Sequence, residues 1–264
     1  MTYTEHGVKE TVDRLLAEHG LADPITPEQL NLLDQYHIGG LDAVDSVTAA
    51  MALAPDDRVL DIGSGFGGPA RRIAQKHGAT VHGIDITRGY VNTATHLTQR
   101  CGLAHLVTFE CAGIEDHHPA RPYTAALSMH VQMNIADKAR WYRAIADQLA
   151  EGSQFAIWDV CSANSNAPIR WPLPWSINGT DSHVVQPDEL RAAITSGGFD
   201  CLDWVDESHW VSAWVKKTFG AGLPAGPGIP MIIDDGWTRT ANFAGALEAG
   251  TLTVVRGRFA KHAS

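Results

Sequence analysis

Val59-Leu60-Asp61-Ile62-Gly63-Ser64-Gly65-Phe66-Gly67-Gly68 is the stretch on which the fold turns. A short apolar run leads into it, and the amphipathic segment Pro69–His77 follows. Glycines at such a strand-to-helix junction let the chain turn sharply and let a ligand approach the backbone. The helix beyond offers unpaired N–H groups. Asp85 closes the next apolar run, where a carboxylate can accept two hydrogen bonds from a ribose diol. Four glycines with two placed acids exceed what an ordinary turn needs. Gly63, Gly65 and Gly68 satisfy the dinucleotide pattern GxGxxG, and Asp61 with Gly63, Gly65 and Gly67 satisfies DxGxGxG. Two details favour the second pattern. Asp61 puts a negative charge where a phosphate would not invite one but a cationic ligand tolerates it. The loop also follows a helical preamble, whereas dinucleotide folds commonly begin with this strand. An NAD(P)-dependent oxidoreductase stands as the alternative reading.

Outward from the loop, short apolar runs alternate with amphipathic stretches. The runs are Arg58–Ile62, Thr80–Ile86, Val107–Cys111, Thr124–Met129 and Gln154–Val160. The helices between them are Pro69–His77, Gly89–Cys101 and Asp137–Leu149. Strands apolar on both faces, each followed by a helix, predict a parallel sheet with right-handed crossovers. Upstream, Val8, Val12, Leu15 and Leu16 recur at helical spacing, Thr26-Pro27 starts a second helix, and Leu41–Leu53 forms a third. The expected division is a helical lid over 1–54 and a core over 55–264 with cap insertions at 162–185 and 208–250. The first insertion holds IRWPLPW and has no period, too long for a plain connection. A helix opens at Gln186-Pro187, strand Phe199–Val205 follows, and a helix near Thr238–Leu247 precedes a last strand, Leu252–Phe259.

Composition narrows the function. The chain has 264 residues, with 20 Lys and Arg against 30 Asp and Glu, giving a net charge of −10. That balance argues against a nucleic-acid surface, which needs a basic patch. No apolar run is long enough to span a membrane, and the N-terminus is polar. The four cysteines form no CxxC pair and read as free thiols of a cytoplasmic protein. The 13 histidines include no HExxH or HxH, so no metal site is expected.

With these residues in view, the sequence resembles the class I S-adenosylmethionine-dependent methyltransferases over about residues 30–205 plus the last strand. DQYHIGG (34–40), HVQMNIADKARWYRAIADQLAEG (130–152) and PLPWS (172–176) carry the likeness beyond the glycine loop. Within that family it is most similar to the sarcosine/dimethylglycine and phosphoethanolamine N-methyltransferase-like group. The resemblance implies a seven-stranded Rossmann-like α/β sheet of order 3-2-1-4-5-7-6, its last-inserted strand antiparallel. It implies S-adenosyl-L-methionine as cofactor and a small molecule of secondary metabolism as acceptor, methylated on N, O or C. A homo-oligomer is compatible with it, and so is a non-catalytic module that keeps the fold. On the cofactor it implies Asp61, Gly63, Ser64, Gly65 and Gly67 around the methionine and ribose, Asp85 on the ribose hydroxyls and Ile86 on the adenine. Gly113 and Ile114 would flank the adenine's other side, although many members carry Asp where Gly113 stands. Ser128 and Met129 would close the methionine end.

For chemistry, His130 comes first. It lies just past the fourth strand, at the carboxyl edge where open α/β sheets bind ligands, and an imidazole acts as a base near neutrality. Hydrogen bonding to the cofactor carboxylate, or capping the next turn, is the competing role. Tyr36 comes second as a catalytic candidate, with His37 beside it on the substrate side. Both sit in the lid segment, and packing the lid down is the competing role for Tyr36. Gln132 follows His130 toward the substrate. Trp171, Trp175 and Trp214 are aromatic walls suited to an apolar acceptor or to a cation.

Overall fold

The computed structural model describes residues 7–163, 168–219 and 226–263. Seven strands form one sheet: β1 (Arg58–Ile62), β2 (Thr80–Asp85), β3 (Val107–Cys111), β4 (Tyr123–Met129), β5 (Leu149–Ser162), β6 (Phe199–Asp206) and β7 (Leu252–Lys261). Their order is β3-β2-β1-β4-β5-β7-β6, as expected. The pairs from β3 through to β5 are parallel, and β7 runs antiparallel between β5 and β6. β5 begins five residues earlier than the apolar run Gln154–Val160, because Leu149 pairs with Tyr123 before the regular ladder starts at Gln154.

The nine helices among the described residues are α1 (Val8–Glu18), α2 (Pro27–Asp34), α3 (Gly40–Ala49), α4 (Gly68–His77), α5 (Arg88–Arg100), α6 (Lys138–Asp147), α7 (Pro187–Ser196), α8 (Ser208–Phe219) and α9 (Gly236–Glu248). Their ends are written locally. Thr26 and Gln29 make a reciprocal capping box ahead of Pro27 in α2. Gly67, at φ 77°, starts α4, and Gly78, at φ 69°, stops it.

The sheet buries an apolar cluster on each face. One contains Val59, Val81, Leu127 and Trp158, with Trp175 and Phe243. The other contains Leu60, Ile84, Phe155, Phe199 and Phe259. A third cluster joins Val12, Leu16, Leu30 and Leu33 of the N-terminal helices to Phe66, Tyr90 and Leu97, so α1 and α2 pack over the glycine loop and α5. An ion pair fastens this packing from within. Arg71 of α4 and Asp34 at the end of α2 are both fully buried, 2.9 Å apart. Arg71 also donates to Ala94 O and Thr98 Oγ1 of α5. No helix among the described residues is long and apolar enough to cross a membrane.

Candidate active site

At the carboxyl edge of β1, β2 and β4 lies a cleft of about 950 Å³, including space open to solvent. Its floor is the glycine loop. Gly63 and Ser64 donate to Ile84 O at the end of β2, which locks the loop onto the sheet. Gly63 has φ 72°, and a Cβ there would lie 2.4 Å from Val131, so this turn requires glycine. Asp85 sits across the loop. Its Oδ2 accepts from Gly65 N at 3.0 Å and its Oδ1 from Thr87 N at 2.8 Å. Burial pushes its carboxyl up, and these two backbone donors, with the Thr87 side chain, pull against that. A carboxylate has about four acceptor positions, so at least one remains for a ligand.

Asp61 lies deeper. Burial pushes its carboxyl up to about 7, the charge of Asp85 adds to the rise, and a backbone N–H at Ala70 lowers it. Its Oδ2 and the Oγ of Ser64 are buried without a hydrogen-bond partner. Such groups in a cleft lining are places where a ligand completes the bonding. Toward the mouth, Ile86 is 70% exposed. It lies opposite Gly113, where an added Cβ would be 3.8 Å from the Ile86 side chain. A flat apolar group laid against this pair would cover exposed apolar surface. Ile114 and Met129 also line the cleft.

The described lining contains Asp34, Asp61 and Asp85 but neither Lys nor Arg. A pyrophosphate here would face Asp61 and Asp85 with no counter-charge, so the dinucleotide alternative does not fit. A ligand with a ribose diol, a flat base and a cationic end does fit, and S-adenosylmethionine is such a molecule.

A second cavity of about 860 Å³ lies on the other side of Tyr36, His37 and His130, and these three residues line both spaces. Its other walls come from Ile38, Trp214 and Phe219, the 226–231 loop, and Trp237, Thr240 and Phe243 of α9. His130 is held in the left-handed backbone region at φ 57°. Its N–H donates to Trp158 O at 2.9 Å. The next two N–H groups, of Val131 and Gln132, donate to Asp159 Oδ2 at 3.2 and 3.1 Å. Asp159 also accepts from Val160 N, so a single buried carboxylate fixes the turn that carries His130. Burial lowers the His130 imidazole well below its ordinary range, leaving it neutral at pH 7, and its Nε2 is buried without a partner. The His37 ring lies 6.1 Å away, pushed down to about 4 by burial, with its Nε2 on Gln35 Oε1 at 2.9 Å. Burial raises the Tyr36 hydroxyl, which stays protonated.

The structure thus brings together Asp61, Gly63, Ser64, Gly65, Asp85, Ile86, Gly113, Ile114 and Met129 around the first cleft, and Trp214 at the second. Five expected residues line neither space. Gly67 turns the chain into α4 against the Phe109 ring. Ser128 is fully buried one residue below Met129 on β4. Gln132 is also fully buried, its amide donating to Val160 O. Trp171 lies on the backbone of Gly179. Trp175 packs in the core on Phe243 and donates to Ser182. Among its described residues, the first insertion therefore packs its tryptophans against the rest of the chain and supplies only Pro174 to the second cavity.

Sequence reasoning missed Asp159, although an acid inside the apolar run Phe155–Val160 was a usable signal. It also missed the α9 wall, whereas the apolar stretch GIPMII at 228–233, part of which lines the second cavity, is visible in the sequence as an acceptor-side feature. Away from both cavities, His82, Glu110 and His117 form the one group among the described residues with donor atoms close enough for a metal, within 4.8 Å. Glu110 Oε2 is bonded to His117 Nδ1 at 2.7 Å, His82 Nδ1 to Thr108 and His117 Nε2 to Tyr123.

Residues 59–152 match the family model described as a methyltransferase domain. Phosphoethanolamine N-methyltransferase 1 of Arabidopsis thaliana is 30% identical over 149 residues, which is 56% of this chain and 30% of that protein. Methyltransferase GfsG of Streptomyces halstedii is 27% identical over 175 residues, covering 64% of this chain and 60% of that one. The chain thus spans less than two thirds of the length of these relatives. Among solved structures, geranyl diphosphate C-methyltransferase of Streptomyces coelicolor A3(2) superposes with a TM-score of 0.68 at 14% identity. The match covers 98% of this chain and 100% of that one. The fold is the Rossmann-like methyltransferase fold.

Proposed function

We propose that this protein transfers a methyl group from S-adenosylmethionine to a small molecule. The cofactor takes the first cleft and the acceptor the second cavity. The observation that carries this reading is the shared wall: Tyr36, His37 and His130 face both spaces, so two bound molecules meet there. The methyltransferase-domain match over 59–152 supports it from the sequence side. When bound, the cofactor supplies an activated methyl on a cationic sulfur.

The chain's own work is then placement and exclusion of water. Asp85 holds the ribose, and Ile86, Gly113 and Ile114 enclose the base. Asp61 and Ser64 complete their hydrogen bonding on the methionine portion, and Met129 closes that end. His130, neutral at physiological pH, accepts a proton from the acceptor at Nε2. Tyr36 and His37 close the lid over the reacting atoms. The boundary between lid and core at 54/55 belongs to the same proposal. So does a cytoplasmic location, on the four unpaired cysteines, and a place in secondary metabolism.

Equilibrium titration with S-adenosylhomocysteine, with NADH as control, tests the cofactor assignment. Binding of the first and not the second is expected; no binding by folded protein at millimolar ligand sinks the proposal. A non-catalytic module would bind cofactor yet never transfer label, which isotopic methyl transfer to acceptors would reveal.

A further inference from the structure

We infer that the acceptor is an uncharged, largely apolar molecule whose hydroxyl donates to His130 Nε2 in the second cavity. This rests on the proposed methyl-transfer reading and narrows it to one chemical class.

The charge inventory carries the first half. No Asp, Glu, Lys or Arg is found among the described residues that line this cavity. The sequence between the wall residues Phe219 and Gly226, Gly220-Ala221-Gly222-Leu223-Pro224-Ala225, lies outside the described residues and contains no ionisable side chain. Arg239, on the same helix as the wall residues Trp237, Thr240 and Phe243, is buried outside the lining and donates to the carbonyls of Leu173 and Pro174, although its charge is felt at the wall residue Tyr36. An ion entering this space would shed its hydration with no ionised side chain of the described lining to pair with it. For an ammonium, the aromatic faces return only part of that cost. At the mouth, Trp237 is 42% exposed and Met231 37%. That apolar surface matches an apolar occupant.

The hydrogen-bond inventory carries the second half. Asn31 Oδ1 is taken by Leu41 N, Gln35 is bonded to Asp34 and His37, and Thr240 Oγ1 donates to Gly236 O. His130 lies in the wall shared by both spaces, and its Nε2 is buried and unpartnered. In the neutral tautomer with the hydrogen on Nδ1, which the proposal assigns, Nε2 is an acceptor and the group that satisfies it is a donor. In an uncharged acceptor, a hydroxyl provides that donor and the nucleophilic atom together. A phosphate, a carboxylate or a quaternary ammonium would find no ionised partner in the described lining. The class therefore differs from the phosphoethanolamine of the Arabidopsis relative's name.

The test uses four probes on one skeleton: 2-naphthol, 2-methoxynaphthalene, 2-naphthoate and 2-naphthylmethylammonium. Each is titrated calorimetrically into the full chain saturated with S-adenosylhomocysteine. 2-Naphthol is expected to bind at least about 100-fold tighter than either ion. It should bind about 3- to 10-fold tighter than the methyl ether, which lacks the donor. His130→Gly, suited to φ 57°, should erase the second ratio and keep the first. Trp237→Lys, at an exposed mouth position, should raise naphthoate affinity about tenfold or more by supplying the missing charge. Either ion binding as tightly as 2-naphthol, no binding of 2-naphthol, or a naphthol-to-ether ratio unchanged in His130→Gly overturns the inference. Should His130→Gly fail to fold, the natural chain's ratios and Trp237→Lys still decide it. Failure of S-adenosylhomocysteine to bind at all would strike the methyl-transfer reading instead, and is seen before any probe is added.

Discussion

Replacing Asp85 by Asn keeps the shape of the side chain and removes its charge and half of its acceptors. In the structure, the carboxylate already accepts Gly65 N at 3.0 Å and Thr87 N at 2.8 Å. The Thr87 side chain also bonds to it, so at least one of its roughly four acceptor positions remains for a ribose hydroxyl. Asn has one oxygen, with two positions, and its amino group would point a donor at a backbone N–H. At least one ribose hydroxyl then loses its acceptor. A hydrogen bond to a charged group contributes about 1.5–3 kcal/mol, so affinity should fall about 10- to 150-fold. Calorimetric titration with S-adenosylhomocysteine measures the loss. The same titration with its 2′-deoxy and 3′-deoxy analogues forms a cycle, because removing a hydroxyl should weaken binding in the natural chain and matter less in the variant. Thermal unfolding, read alongside, separates a damaged loop from a lost ligand contact. An affinity within about threefold of the natural chain would refute the ribose assignment. An equal deoxy penalty in both proteins would refute it as well.

Three further outcomes follow from the same geometry. His130→Gly should lower turnover much more than S-adenosylhomocysteine affinity, measured by single-turnover kinetics and calorimetry; equal losses would reduce His130 to a binding contact. Asp159→Ala should lower stability by about 2–5 kcal/mol in urea titration, since the buried N–H groups of Val131, Gln132 and Val160 lose their acceptor. A Cm unchanged from the natural chain would show that the turn holds without it. Asp61, raised to about 7, is protonated below that pH and charged above it. A cationic ligand favours the charged form, so S-adenosylmethionine affinity should rise between about pH 6 and about pH 8 and be flat over that range in Asp61→Asn. A flat profile in the natural chain would refute the contact.

The parallel half of the sheet was legible because its signals are local. Apolar runs alternate with helical stretches, and the glycine loop must turn where Gly63 turns. The cofactor cleft follows, since its residues sit at the ends of those strands. The second cavity was not legible, because its walls come from chain segments far apart in sequence. Trp214, Phe219 and Phe243 meet Ile38 only through packing over the sheet. The tryptophans of the first insertion misled for a related reason. A Trp beside proline in an irregular stretch looks equally suited to grip a ligand or to fill a core, and only the tertiary neighbours of Trp171 and Trp175 distinguish the two. Gln132 and Ser128 show the same limit at single-residue scale. Each adjoins a residue that lines the cleft, and the alternation of strand and turn points it the other way.

Tyr36, His37 and His130 line both spaces, so on the proposed reading their wall serves two ligands at once, with a thermodynamic consequence. Any shift in these side chains that one ligand favours alters the free energy of the other. Such linkage is reciprocal: the factor by which cofactor strengthens acceptor binding must equal the factor by which acceptor strengthens cofactor binding. A substitution in the wall that changes this coupling therefore changes it by the same factor for both molecules, so the coupling itself cannot be adjusted for one of them alone.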